Sequence, residues 1–126
     1  MANELILIVD DDPELNATIA RSIRKAGFRT ATAKDGDAAL IEVAKLQPAL
    51  VISDVLMPPS INGFQLCRQL KSAPTTKDIP VILISGKADA ADHFWAHEVG
   101  ARLLLRKPLD LTKLIAEVAE GLASRP

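Results

Sequence analysis

An α/β fold, with a parallel sheet covered by helices on both faces, is what this sequence predicts, and three observations predict it. Short apolar runs alternate with amphipathic stretches along the whole chain. The runs are apolar throughout, not alternating apolar and polar, as strands buried on both faces must be. Several of them stop abruptly on a charged or hydroxylated residue, and in open α/β sheets the C-terminal strand edge is where ligands sit.

The elements follow in order. Leu5-Ile6-Leu7-Ile8-Val9 reads as a buried strand ending on Asp10-Asp11-Asp12. Pro13 suits the first turn of a helix with Asp12 as its N-cap, and Leu15, Ile19 and Ile23 recur at helical spacing up to a C-cap at Gly27. Residues 28–33 form a modest strand. Asp35-Gly36-Asp37 breaks it, and a helix follows through Leu40, Val43 and Ala44. Residues 48–53 make a third strand that ends on Asp54. Pro58-Pro59-Ser60-Ile61-Asn62-Gly63 is loop, and a short helix covers about residues 64–71. Residues 80–84 give a fourth strand, closed by Ser85-Gly86. An alanine-rich helix over about residues 88–99 stops at Gly100, and residues 101–105 are the last strand, followed by Lys107-Pro108. Leu111, Leu114, Ile115, Val118 and Leu122 form one stripe of the final helix, with Asp110 as N-cap. Alternating strands and helices of this kind make a sheet with helices on both sides.

The chain has 126 residues, enough for one domain with a proper core, so residues 1–126 are expected to be a single unit. A net charge of −1 gives no electrostatic reason to bind nucleic acid or a membrane surface. No apolar run approaches the ~20 residues of a membrane span, and no secretory signal is visible. A single cysteine, Cys67, excludes an internal disulfide and fits a cytoplasmic protein.

Four strand ends carry the chemistry. The first gives Asp10, Asp11 and Asp12, the third Asp54, the fourth Ser85 and the fifth Lys107. Parallel strands bring these distant positions to one edge. Crowded carboxylates repel unless a cation or proton offsets them, and carboxylate oxygens suit Mg²⁺. A lysine and a hydroxyl beside them suit a phosphoryl group. Together they make a phosphoryl-transfer site in which Asp54 attacks and the others neutralise the transferred oxygens.

With those residues in place, the chain resembles the receiver domains of two-component response regulators over essentially its whole length. The matching stretches are Val9-Asp10-Asp11-Asp12, Asp54-Val55-Leu56-Met57-Pro58, Ser85-Gly86 and Lys107-Pro108. No one of them is specific; the four in order are. The resemblance implies a flavodoxin-like, doubly wound five-stranded parallel sheet of order 2-1-3-4-5 with five helices. It implies that Asp54 is the phosphoacceptor, receiving its group from a sensor histidine kinase or a phosphotransfer protein. It implies Mg²⁺ held directly by Asp11, Asp54 and the main-chain carbonyl of Leu56, with Asp10 acting through a metal-bound water. Ser85 would bind a phosphoryl oxygen and Lys107 would pair with the phosphoryl group. A downstream protein partner would read the face of the fourth helix, fifth strand and fifth helix. No output domain, nucleic-acid contact or membrane contact is expected, and the Lys107–Pro108 bond is expected to be cis.

Two positions depart from the family pattern. The loop after Asp54 is one residue longer than usual before Gly63 and carries Pro58-Pro59. Leu104 stands where the family commonly has Tyr or Phe, a ring that swings inward when the hydroxyl moves onto the phosphoryl group. Phosphorylation chemistry is therefore expected to be intact and switching of the partner face weak or altered. An interaction module independent of phosphorylation is the alternative that Leu104 supports. An aspartate-nucleophile phosphatase would want an acid two residues after Asp54, where Leu56 stands. A dinucleotide site would want a glycine-rich turn after the first strand.

Other residues have ordinary readings. Asp12 is a helix cap. His93 and His97 share a helix face but have no third ligand, so they are helix surface. Cys67 packs as a small apolar residue. Of the adjacent Phe94 and Trp95, Phe94 is expected in the core and Trp95 partly exposed.

Overall fold

The computed structural model describes residues 3–125. The order is β1 (Leu5–Val9), α1 (Pro13–Lys25), β2 (Arg29–Ala33), α2 (Gly36–Leu46), β3 (Leu50–Asp54), α3 (Gly63–Ser72), β4 (Val81–Ser85), α4 (Ala90–Glu98), β5 (Leu103–Arg106) and α5 (Leu111–Ala123). The five strands pair in parallel in the order β2-β1-β3-β4-β5, as expected.

Strand alternation divides the core in two. Leu7, Val9, Val51, Val81 and Leu83 point to one face and meet Val43 of α2, Leu66, Cys67 and Leu70 of α3, and Ala96 of α4. Ile6, Ile8, Leu50, Ile52, Ile82 and Ile84 point to the other and meet Ile19 and Ile23 of α1 and Leu114 and Val118 of α5. The central strands β3 and β4 are buried at every position, which is why their sequences are apolar without alternation.

Each helix starts near the C-terminal edge of the sheet and carries an Asp or Asn N-cap: Asp12, Asp35, Asn62, Asp89 and Asp110. Asn62 and Gln65 form a reciprocal capping box that fixes where the lengthened loop hands over to α3. The Asp12 cap is as expected, with its side chain accepting from the N–H groups of Glu14 and Leu15. Gly27, at φ 102°, follows the last turn of α1 in the left-handed conformation that ends helices. Cys67 is buried, its thiol donating to the Val99 carbonyl at 3.4 Å, and both histidines of α4 are exposed.

Three expectations are corrected. α4 begins at Ala90, not near Ala88, because Ala88 is left-handed (φ 45°) and Asp89 caps the helix. β5 begins at Leu103, not at residue 101: the Ala101 N–H goes back to the Ala96 carbonyl (2.9 Å), closing the helix and delaying the ladder. Phe94 is 56% exposed and is not in the core; Trp95, at 47%, packs edge-on against it. The inward face of α4 is set by Asp92, Ala96 and Val99, and Phe94 lies about 200° around the helix from Asp92.

Candidate functional site

Because β1 and β3 are neighbours, the ends of both strands deliver carboxylates to the same spot. One oxygen each of Asp10, Asp11 and Asp54 lie within 4.8 Å of one another. Asp10 and Asp54 are buried, and Asp11 is exposed. From beyond β5, the Lys107 ammonium reaches to 3.1 Å from Asp54 Oδ1 and 3.7 Å from Asp10 Oδ2. The first is a charged hydrogen bond; the second is attraction at longer range, beyond bonding distance. Asp10 Oδ1 accepts from the Asp12 N–H at 2.9 Å, while Asp10 Oδ2 is buried with no hydrogen-bond donor.

The electrostatics follow from burial and crowding. Burial pushes Asp10 up from 3.8 to about 6; the Asp12 amide opposes this, Asp54 adds to it and Lys107 resists. Burial also raises Asp54, against the pull of its hydrogen bond to Lys107. Burial works against the Lys107 charge, yet its hydrogen bond to Asp54 and the surrounding carboxylates win and hold its pKa above the ordinary value. The three directions describe one cluster with more negative charge than a single ammonium offsets.

That surplus tests whether a cation belongs here. Three converging carboxylate oxygens, from a cluster in which Asp10 Oδ2 is buried without a donor, are hard-oxygen ligands of the kind Mg²⁺ takes together with carbonyls and waters. The residues fit the ion. Leu56 lies two residues past Asp54 in the β3–α3 loop with its side chain 71% exposed.

The loop owes its position to Gly63. Its N–H donates to the Val55 carbonyl at 2.8 Å, and a Cβ there would fall 2.4 Å from the Asp54 carbonyl oxygen. A glycine lets the lengthened loop close tightly behind the residue that would carry the chemistry. The Lys107–Pro108 bond is cis, as expected, and so is Pro58–Pro59, which was not.

Ser85 stands at the same edge, paired in register with Arg106, but its hydroxyl proton is given to a residue outside the carboxylate cluster. It donates to Asp92 Oδ2 at 2.6 Å and accepts from the N–H groups of Lys87 (3.1 Å) and Ala88 (3.2 Å). Asp92, buried in the first turn of α4, is the site neighbour that sequence reasoning missed. Its signal was its spacing from Ala96 and Val99, which puts it on the inward face of the helix.

Comparison with known proteins agrees with the fold and gives the family. A family profile described as "Response regulator receiver domain" matches residues 6–119. The chain is 38% identical over 113 residues to the DNA-binding response regulator MtrA of Mycolicibacterium smegmatis, covering 90% of this chain and 48% of that protein. It is 37% identical to the response regulator PleD of Caulobacter vibrioides, covering 90% of this chain and 25% of that one. It thus spans half or less of the length of these relatives. A putative response regulator from Chloroflexus aurantiacus superposes with a TM-score of 0.91 at 32% identity, over 96% of this chain and 98% of that one. A receiver domain of a histidine kinase from Syntrophus aciditrophicus superposes at 0.88 and 34% identity, over 95% and 90%.

Proposed function

The chain belongs to the response regulator receiver domain family, and from that premise we propose that it accepts a phosphoryl group on Asp54 from a histidine kinase or phosphotransfer protein in a Mg²⁺-dependent step. The observation that carries this reading is the 3.1 Å pairing of Lys107 with Asp54 inside a cluster of three carboxylates. An Asp54 oxygen forms the new bond to phosphorus as the phosphorus–nitrogen bond of the donor phosphohistidine breaks, and the electron pair leaves with the imidazole. Asp11, Asp54 and the Leu56 carbonyl would hold the metal directly, and Asp10 would act through a water. Bound there, Mg²⁺ supplies charge that offsets the oxygens of the transferred group. Lys107 exchanges its contact with Asp54 for one with the phosphoryl group, and the Ser85 hydroxyl donates to a phosphoryl oxygen.

Receiver domains are signalling modules and not conventional enzymes, and the product here is a changed partner surface. The face of α4, β5 and α5 is the proposed partner surface, and the exposed Phe94 and Trp95 lie on α4. The proposed partners are proteins, not nucleic acid, in keeping with the net charge of −1, and the proposed compartment is the cytoplasm. Among the described residues no helix is long and apolar enough to cross a membrane. Incubation with acetyl phosphate and Mg²⁺, followed by intact mass, tests the proposal. Mass gain by the wild type, abolished in Asp54→Asn and by EDTA, is expected. No gain, or gain that survives Asp54→Asn, overturns it.

A further inference from the structure

Asp92 is a buried carboxylate that the proposed chemistry leaves unused. It is 6% exposed, and its own N–H is already taken by the Asp89 cap at 2.9 Å. Its Oδ2 holds the Ser85 hydroxyl at 2.6 Å, and Ser85 is itself 5% exposed, so the bond is shielded from water. A serine hydroxyl has one proton to give. Given to Asp92, it is withheld from any oxygen at Asp54.

The same Ser85 oxygen accepts from the Lys87 and Ala88 amides. Those bonds hold the β4–α4 loop in a turn where Ala88 sits at φ 45°, a conformation alanine disfavours. One oxygen therefore ties together the end of β4, a strained loop and the first turn of α4.

We propose that Asp92 is a positioning residue, which holds the proton of the Ser85 hydroxyl until a phosphoryl group on Asp54 takes it. The proposal rests on the reading of Asp54 as phosphoacceptor and of Ser85 as a donor to the phosphoryl group. When the hydroxyl swings to a phosphoryl oxygen, Asp92 loses its donor in a buried place, and the Lys87 and Ala88 amides lose their acceptor. The first turn of α4 and the loop before it then rearrange together. Asp92 thus opposes phosphorylation by stabilising the unphosphorylated arrangement, and links acceptance of the group to release of this one turn.

The experiment compares wild type, Asp92→Ala, Asp92→Asn, Ser85→Ala and the Ser85→Ala/Asp92→Ala double variant, each with acetyl phosphate and Mg²⁺. The rate of mass gain and the amide resonances of Lys87 and Ala88 are read. Asp92→Ala should accept the group roughly ten-fold faster, the scale of one hydrogen bond to a charged group removed from the starting state. Asp92→Asn, whose amide oxygen still accepts more weakly, should fall between, and it carries the test if the alanine variant does not fold. In the Ser85→Ala background the gain should vanish, which a merely structural effect of Asp92 would not do. The Lys87 and Ala88 resonances of unphosphorylated Asp92→Ala should already lie part-way to their phosphorylated positions. Rates and resonances equal to wild type in both Asp92 variants, or an equal gain without Ser85, overturn the proposal. If wild type takes no group on Asp54, the reading of the site fails first and is recognised as that failure.

Discussion

The Lys107 ammonium lies 3.1 Å from Asp54 Oδ1, and the two meet at one C-terminal sheet edge across the width of β4: β3 ends on Asp54, and β5 ends one residue before Lys107. The pair is half of a balance in which one cation faces three carboxylates. Lys107→Ala should therefore destabilise the metal-free chain by about 1–3 kcal/mol, below the full cost of breaking a buried pair because the lysine side chain is 28% exposed. Its phosphorylation by acetyl phosphate should slow by about ten-fold or more, as expected for a lost charge on the transferred oxygens. Urea unfolding and rates of mass gain check both halves. Unchanged values would show that Lys107 neither balances the cluster nor meets the phosphoryl group.

Asp10 carries a pH dependence of defined sign. Its pKa is pushed up to about 6 in the fold from 3.8, so between those values the folded chain binds more protons than the unfolded one. Stability at this site is greatest below the unfolded value and is lost as pH rises through the folded one. The full loss is on the order of 3 kcal/mol, and Asp54, raised in the same direction, adds to it. In EDTA the chain should be more stable near pH 5 than near pH 7.5, to the extent that acid effects elsewhere are subtracted by comparison with Asp10→Asn, which should flatten the difference. Mg²⁺ should bind more weakly as pH falls through about 6, because a protonated carboxyl is a poor ligand. Calorimetric titration of Mg²⁺ at the two pH values reads this directly, and an affinity independent of pH would exclude Asp10 from the metal's surroundings.

The strands and the four strand-end positions were legible in the sequence because burial on both faces leaves a mark that survives translation into residue types. Val51, Ile52, Ile82 and Leu83 are apolar because both sides of the sheet are covered. What was not legible came from choices made by packing. Asp92 reads as a solvated helix residue until Ala96 and Val99 are seen to turn that face inward. Phe94 reads as core because it is large and apolar, yet the same rotation leaves it outside. The late start of β5 depends on where one amide, that of Ala101, finds its acceptor, and nothing in the residue type announces it.

Gly63 is a site residue by virtue of what it lacks. A methyl group there would meet the Asp54 carbonyl oxygen at 2.4 Å and the Val55 Cα at 3.0 Å, both backbone atoms that cannot turn aside. Gly63→Ala should cost about 2 kcal/mol or more, the range of overpacking against an unyielding wall. It should also shift the strand end that carries Asp54, so Mg²⁺ affinity should fall as well as stability. A variant with wild-type urea midpoint and wild-type Mg²⁺ affinity would show that the loop has room to retreat.

Leu104 decides how far a change at Asp54 travels. It is buried in the core cluster with Ala96 of α4 and Val99, which caps that helix, opposite Leu83 in the sheet register. An aliphatic side chain already packed inside leaves no ring to swing inward. Phosphorylation should therefore move amide resonances strongly around Asp54 and at the first turn of α4, and more weakly over residues 93–105. Shifts over that stretch as large as those beside Asp54 would contradict this. Leu104→Phe should enlarge them, at a stability cost of about 1–3 kcal/mol for forcing a ring into a filled core. If the variant is destabilised and the shifts stay small, the limit on switching lies in the α4 packing and not in the residue at 104.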